Sequence, residues 1–338
     1  MIHVGVDLHQ RFCYMTALNA RGKALQSGVV DNQRLALKRY FRQFRGEAVQ
    51  VAVEACGFWP GFREVVEPEV ERLVLVHPQR VKAIASAKLK NDRVDSATLA
   101  HLLRCDLLPE SWKADRETQA RRQQVRLRAT LVRQRTRLKN QVHAVLHQQG
   151  LRAPVSDLFG RRGRQWLSAV PLSAQGRETV TVCLRLIDGY TQEVEKQNRQ
   201  LRETAKQDKR AQWLMTIPGI GMYSAMLLLA EIGDIHRFRD KHALCSYAGL
   251  VPRVRESAGK AKRGGITRQG SPWLRWILVE AAQVATRSSA AAKAYYARLR
   301  RKKPGAVARV ALARKLLVAV WALLHDGVVF DENVFAAE

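Results

Sequence analysis

The sequence predicts a mixed α/β domain at the N-terminus, a long helical middle and a mainly helical C-terminal third. Three observations carry that reading. Short apolar runs that close on acidic residues alternate with amphipathic stretches over about the first hundred residues. Residues 118–156 hold nine basic side chains and no acidic one, with leucine and valine recurring at helical spacing. Beyond Trp213, compact apolar segments punctuated by glycine take over.

The elements follow in order. Residues 2–6 form an apolar strand closing on Asp7, and residues 12–18 and 24–30 pair with it as a meander, turning at 19–22. Residues 33–44 place Leu35, Leu37, Tyr40 and Phe41 at helical spacing. Residues 49–53 run as a strand into Glu54, residues 73–76 form another, and Pro78 opens a helix. Three meander strands, a helix, then strands alternating with helices is the order of a ribonuclease-H-like fold. Leu127, Leu131, Leu138, Val142 and Val145 then share one face of a long basic helix. A second helix carries Leu184, Ile187, Thr191, Val194, Asn198 and Leu201 on one side, and its mixed charges (EVEKQNRQLRE) suit a coiled-coil arm that also pairs protomers. The expected domains are 1–112, 113–210 and 211–338.

Charge narrows the partners. Lys and Arg number 58 against 30 acidic residues in 338, a formal net charge of +28. Such a balance attracts polyanions at long range, so DNA or RNA is the expected partner. A hydrophobic content of 46% excludes a disordered basic tail. No apolar run reaches the ~20 residues that span a bilayer, and no signal peptide precedes MIHVGVDLH. Five cysteines stand singly without a CxxC pair, which speaks against a zinc ribbon or disulfide framework and for a reducing cytoplasm.

Against that basic background, four acids stand out: Asp7, Glu54, and the pair Asp92 and Asp95 in KNDRVDS. Strand-end carboxylates converge on a crevice, and acids at i and i+3 share a helix face. Mg²⁺, with Mn²⁺ as a substitute, takes such oxygen donors, and two ions ~4 Å apart serve phosphodiester chemistry. Singly, each acid reads as a strand-end charge, an N-cap or a dipole partner; together, in this order, they favour metal. His9 and His77, near the same strand ends, are expected to hydrogen-bond locally. Arg121, Arg122, Arg126, Arg128, Arg133 and Arg135 are the expected nucleic-acid contacts of the basic helix. The run Ile217-Pro218-Gly219-Ile220-Gly221 resembles a helix-hairpin-helix, in which Gly219 and Gly221 present N–H groups to a phosphate; a plain helical turn is the competing reading. Downstream, Ser257 lies in an expected glycine-rich cationic loop with Lys260, Lys262, Arg263 and Arg268, which could neutralise phosphate oxygens. On composition alone Ser257 is a loop residue, because a hydroxyl needs a base or metal to become a nucleophile.

The combination VGVDLH, VEACG, KNDRVDSATLAHLL, IPGIG, AEIGDIHRF, YAGLVP and the serine-glycine-basic loop resembles one family. It is similar to the DEDD transposases of bacterial insertion sequences, the insertion-sequence one-ten family of bridge-RNA-guided DNA recombinases. The resemblance runs from Asp7 to about Phe330. It implies a RuvC-like domain with Mg²⁺ at Asp7, Glu54, Asp92 and Asp95, a coiled-coil linker and a C-terminal transposase domain. It also implies that Ser257 forms a covalent phosphoserine link to DNA, although Ala258 follows it where many relatives have glycine. A dimer assembling to a tetramer with composite active centres, a structured guide RNA that pairs with donor and target DNA, and a place at the bacterial nucleoid are further implications. A RuvC-like junction nuclease that hydrolyses with water, and a non-catalytic nucleic-acid scaffold, are the alternatives.

Overall fold

Alternation along the first strands sorts their side chains onto two faces of one sheet. The computed structural model describes residues 1–84, 91–257 and 260–335, and for residues 254–257 and 260–263 the backbone alone. The chain divides into two units, Met1–Lys113 and Ala114–Glu338.

In the first unit, β1 (Ile2–Leu8), β2 (Phe12–Asn19), β3 (Ala24–Asp31), β4 (Val49–Glu54) and β5 (Arg72–Val76) form a sheet in the order β3-β2-β1-β4-β5. β1, β2 and β3 pair antiparallel as the expected meander, whereas β4 runs parallel to both β1 and β5. This is the ribonuclease-H-like arrangement. Ile2, Val4, Val6 and Leu8 of β1, with Val49, Val51 and Val53 of β4, face α1 (Arg34–Arg42) and α2 (Trp59–Val66), where Leu37, Tyr40, Phe41, Phe62 and Val66 complete a core. The opposite face packs Ala52, Val74 and Val76 against α3 (Pro78–Ile84) and α4 (Asp92–Arg104), through Val81, Leu99 and Leu103.

β1 and α4 approach unusually closely. A Cβ on Gly5 would stand 2.0 Å from the Ser96 carbonyl oxygen and 2.5 Å from the Ala100 nitrogen. Thr16, the cross-strand partner of Gly5, shares a buried hydrogen bond of 2.8 Å with the Ser96 hydroxyl. Asn91 caps α4 by accepting from the Val94 N–H at 2.9 Å, so Asp92 is the first helical residue and not the cap.

The second unit opens on α5 (Arg116–Gln148), capped by Asp115, then α6 (Arg161–Ala169) and α7 (Ala174–Gln207). α5 and α7 lie antiparallel, since Arg128 donates to Asn198, Arg135 to Thr191 and Gln149 to Ser173. Val180, Ile187, Val194 and Leu201 recur at heptad spacing and are all buried. There follow α8 (Lys209–Leu214), α9 (Met222–Ile232), α10 (Lys241–Tyr247), the hairpin β6 (Pro252–Ser257) and β7 (Lys260–Ile266), then α11 (Pro272–Ser288), α12 (Ala290–Arg300) and α13 (Gly305–His325). Their core joins Val125 of α5 and Leu201 of α7 to Leu227, Leu228, Leu278 and Leu316.

One buried charge pins three of these helices. Glu231 of α9 is 1% exposed; its carboxylate accepts from Arg126 of α5 at 2.7 and 3.0 Å and from Ser271, the N-cap of α11, at 3.0 Å. Arg122 donates to the Ala230 and Glu231 carbonyls at 2.9 and 2.8 Å, satisfying groups that the end of α9 leaves open. Removing one partner of such a pair strands a buried charge, so Arg126→Ala should lose ~3 kcal/mol in urea denaturation. Gly5→Ala should lose about 3 kcal/mol through the clash with the α4 backbone. Gly28→Ala, where a Cβ meets nothing within 4 Å, should stay within about 0.5 kcal/mol of the parent.

Candidate metal centre

The same alternation that places Gly5 against α4 puts Asp7, two residues on, toward the same face. On the neighbouring strand Val53 pairs with Val6, so Glu54 ends β4 beside Asp7 and shares a face with Ala52 of the α4-side core. α4 begins at this edge: Asp92 is its first residue and Asp95 follows one turn later. Its N-terminal N–H groups favour negative charge there.

Asp7, His9 and Asp92 each direct a potential ligand atom into one spot, the three atoms lying within 4.8 Å of one another. The His9 Nε2 stands 3.4 Å from an oxygen of Asp7 and 3.3 Å from one of Asp92. That nitrogen is shielded from solvent yet makes no well-formed hydrogen bond. The Asp7 carboxyl is held above the ordinary aspartate range, chiefly by burial; the His9 imidazole opposes this, and the Asp92 and Asp95 carboxylates add to it. Asp95 is near enough to raise the Asp7 proton affinity, and Glu54 follows Val53, the register partner of Val6; neither belongs to the three-donor group. Two carboxylates crowded about one imidazole nitrogen fit a divalent cation, which would neutralise the acids and engage the nitrogen. His9, expected as a local hydrogen-bonder, directs its Nε2 toward the same spot as the two aspartates.

The basic helix is engaged within its own unit. Arg122 and Arg126 hold the end of α9, Arg128 bonds Asn198 and lies 4.1 Å over the Tyr223 ring, and Arg133 lies 4.5 Å over Trp273. Arg121 pairs with Glu117 on the exposed side, and Arg135 reaches Thr191. Residues 216–221 join α8 to α9 as a glycine turn: Gly219 has φ +85, and a Cβ there would meet the Ala281 carbonyl oxygen at 2.2 Å. Gly221 is the N-cap of α9 and has open space around it. The segment expected as a serine loop is a two-stranded antiparallel hairpin, in which Ser257 ends β6 opposite Lys260. Glycines and charges in place of apolar alternation hid those strands. Lys262 and Arg263 lie on β7, Arg268 takes a left-handed turn conformation at φ 56, and Ala258 and Gly259 fall outside the described residues.

Comparison with known proteins bears on both units. A family model described as "Transposase", of the DEDD type, matches residues 4–150, and one described as "Transposase IS116/IS110/IS902 family" matches residues 211–297. The chain is similar to a "Probable family 20 transposase" of Pseudomonas aeruginosa, 30% identical over 86% of this chain and 88% of that protein. It is also similar to the transposase for insertion sequence element IS1328 of Yersinia enterocolitica (29% identical; 83% and 85% covered) and to that for IS1111A of Coxiella burnetii (26%; 95% and 89%).

The raised Asp7 pKa has a consequence for stability. The folded state holds the Asp7 proton more tightly than the unfolded chain does. Its stabilising contribution is therefore present below the ordinary aspartate range and lost as pH rises through the raised folded value. Asp7→Asn should accordingly melt about 1–2 °C above the parent at neutral pH in chelator, measured by calorimetry. The gap should close on acidification to below that range.

Proposed function

The chain belongs to the IS116/IS110/IS902 family of transposases, with a DEDD domain at its N-terminus, and from that premise we propose that it exchanges DNA strands under the guidance of an RNA, with Ser257 as nucleophile. As a transposase of insertion sequences it is a DNA transposition enzyme, and its chemistry requires it to bind DNA. Among the described residues no helix is long and apolar enough to cross a membrane.

The convergence of Asp7 and Asp92 is the observation that supports the reading, and Asp95 on the same helix and Glu54 at the end of β4 are assigned with them. These four side chains would hold Mg²⁺ or Mn²⁺. When bound, the cation supplies Lewis acidity to phosphoryl oxygens and eases loss of the nucleophile's proton. Ser257 gives up its hydroxyl proton and its Oγ forms a bond to the phosphorus of a DNA strand. The bond from that phosphorus to one deoxyribose oxygen breaks, and the departing oxygen takes up a proton. Energy of the broken link is kept in the phosphoserine, so a second strand end can reverse the step without hydrolysis. Lys260, Lys262, Arg263 and Arg268, neighbours of Ser257 in sequence, meet the charge that develops on phosphate.

Residues 1–112 serve as the metal domain, 113–210 as the helical linker and 211–338 as the transposase domain. Guidance by a structured RNA, and assembly of dimers into a tetramer, rest on the family resemblance. The net charge of +28 supports them, because one RNA and two duplexes present far more negative charge than a short site on one duplex. Nucleic-acid contact then falls to basic groups that the fold leaves exposed, such as Arg133 and Arg137, and to the turn at Gly219 and Gly221.

The test uses the full chain co-expressed with its native flanking DNA. RNA that copurifies is sequenced, and end-labelled DNA is run with the protein under denaturing conditions. A discrete flank-derived RNA and a protein–DNA adduct that Ser257→Ala abolishes are expected, with Asp92→Ala lowering adduct formation at least about 100-fold. Cleavage without any adduct would establish hydrolysis instead, and absence of a discrete RNA would overturn guidance.

A further inference from the structure

The geometry points to His9 as a nitrogen ligand of the divalent cation that the acidic quartet holds, which makes this a mixed nitrogen–oxygen centre favouring Mn²⁺ over Mg²⁺. The inference rests on the metal reading of the quartet and adds a donor that the four-acid motif lacks.

Position comes first. His9 directly follows β1, and its main chain is fixed on both sides: its N–H donates to the Phe12 carbonyl at 2.9 Å, and its carbonyl accepts from the Asn32 side-chain amide at 3.0 Å. Its ring rests against Phe12, with centroids 4.8 Å apart. The imidazole is therefore located by its surroundings although 42% of the side chain is exposed.

Distances come second. An imidazole acting only as a counter-ion lines up its N–H on one carboxylate. Here Nε2 stands almost equally far from two, at 3.4 and 3.3 Å, shielded from water and without a well-formed hydrogen bond to either. Two donors side by side on one ion, with bonds near 2.1 Å, stand about 3 Å apart. The measured separations are close to that value.

Chemistry comes third. Mg²⁺ strongly prefers oxygen, whereas Mn²⁺ accepts imidazole nitrogen alongside carboxylates. Exchanging one oxygen donor or water for Nε2 thus shifts selectivity toward Mn²⁺ without excluding Mg²⁺. Asp95, which acts on Asp7 from the same helix as Asp92, and Glu54, next to Val53 on the strand beside β1, are the further oxygen donors assigned to the centre.

The full-length protein is loaded with Mn²⁺ and studied by pulsed electron paramagnetic resonance, with binding measured in parallel by titration calorimetry for Mn²⁺ and Mg²⁺. Modulation from a directly bound ¹⁴N is expected in the parent, replaced by the ¹⁵N pattern when the histidines are ¹⁵N-labelled, and lost in His9→Ala and His9→Gln. Both variants should bind Mn²⁺ at least about 10-fold more weakly, with Mg²⁺ affected less than about 3-fold. Circular dichroism confirms folding, and the labelled parent provides a readout that needs no variant. Mn²⁺ bound without nitrogen modulation, or modulation that survives both substitutions, overturns the role of His9 while leaving the quartet standing. No Mn²⁺ binding by the parent, or binding undiminished in Asp7→Asn, overturns the metal reading itself and the inference with it.

Discussion

The candidate centre depends on one seam, where the backbone of α4 lies against β1 at Gly5 with no room for a side chain. Gly5 and Asp7 are two residues apart on a strand and so face the same way; Ser96 and Asp92 are about one turn apart on a helix. Fixing Gly5 against Ser96 therefore fixes Asp7 against Asp92. The hydrogen bond between Thr16 and Ser96 guards the helix against sliding along the sheet, because Thr16 is the residue paired with Gly5. Precision in the site is thus inherited from main-chain packing in the core, which is stiffer than any loop could be.

The acids brought together this way oppose folding. Burial and neighbouring carboxylates hold the Asp7 proton, and the His9 ring opposes them, helped by the start of α4. Apolar packing on both faces of the sheet supplies the compensation: Val4, Val6, Val51 and Val53 on one side and Val74, Val76, Leu99 and Leu103 on the other are all buried. A sheet covered on both faces tolerates repulsion among acids at its strand ends, and the site sits there, at the C-terminal ends of the interior strands β1 and β4.

Much of this was legible in the residues. The meander, the strand entering Glu54, the helix opened by Pro78 and the two long helices follow from periods of two and of three to four, which apolar patterning writes plainly. The order of those elements carried the fold, and of the four acids singled out at element ends Asp7 and Asp92 come together in space. What was hidden had physical reasons. Asn91 and Asp92 are both good helix caps, and only the geometry chooses Asn91. The hairpin of β6 and β7 is rich in glycine and charge, so its strands lack the usual pattern. Basic composition announces polyanion binding but not which arginines face inward. For Arg126 the clue lay elsewhere: Glu231 is a lone acid in the apolar run MLLLAEIG, and a buried acid there needs a cation beside it.

That pairing says how the protein can be inherited. Arg126 lies within the stretch that matches the DEDD description, residues 4–150, while Glu231 lies within the transposase match at 211–297. An in-frame genetic exchange joined between those two matches would give each new hybrid an arginine and a glutamate from different parents. Breaks near Lys113 would keep the couple intact. Shuffling among relatives should therefore respect the boundary of the folded units in preference to the boundary suggested by sequence kinship, with α5 descending alongside the C-terminal helices.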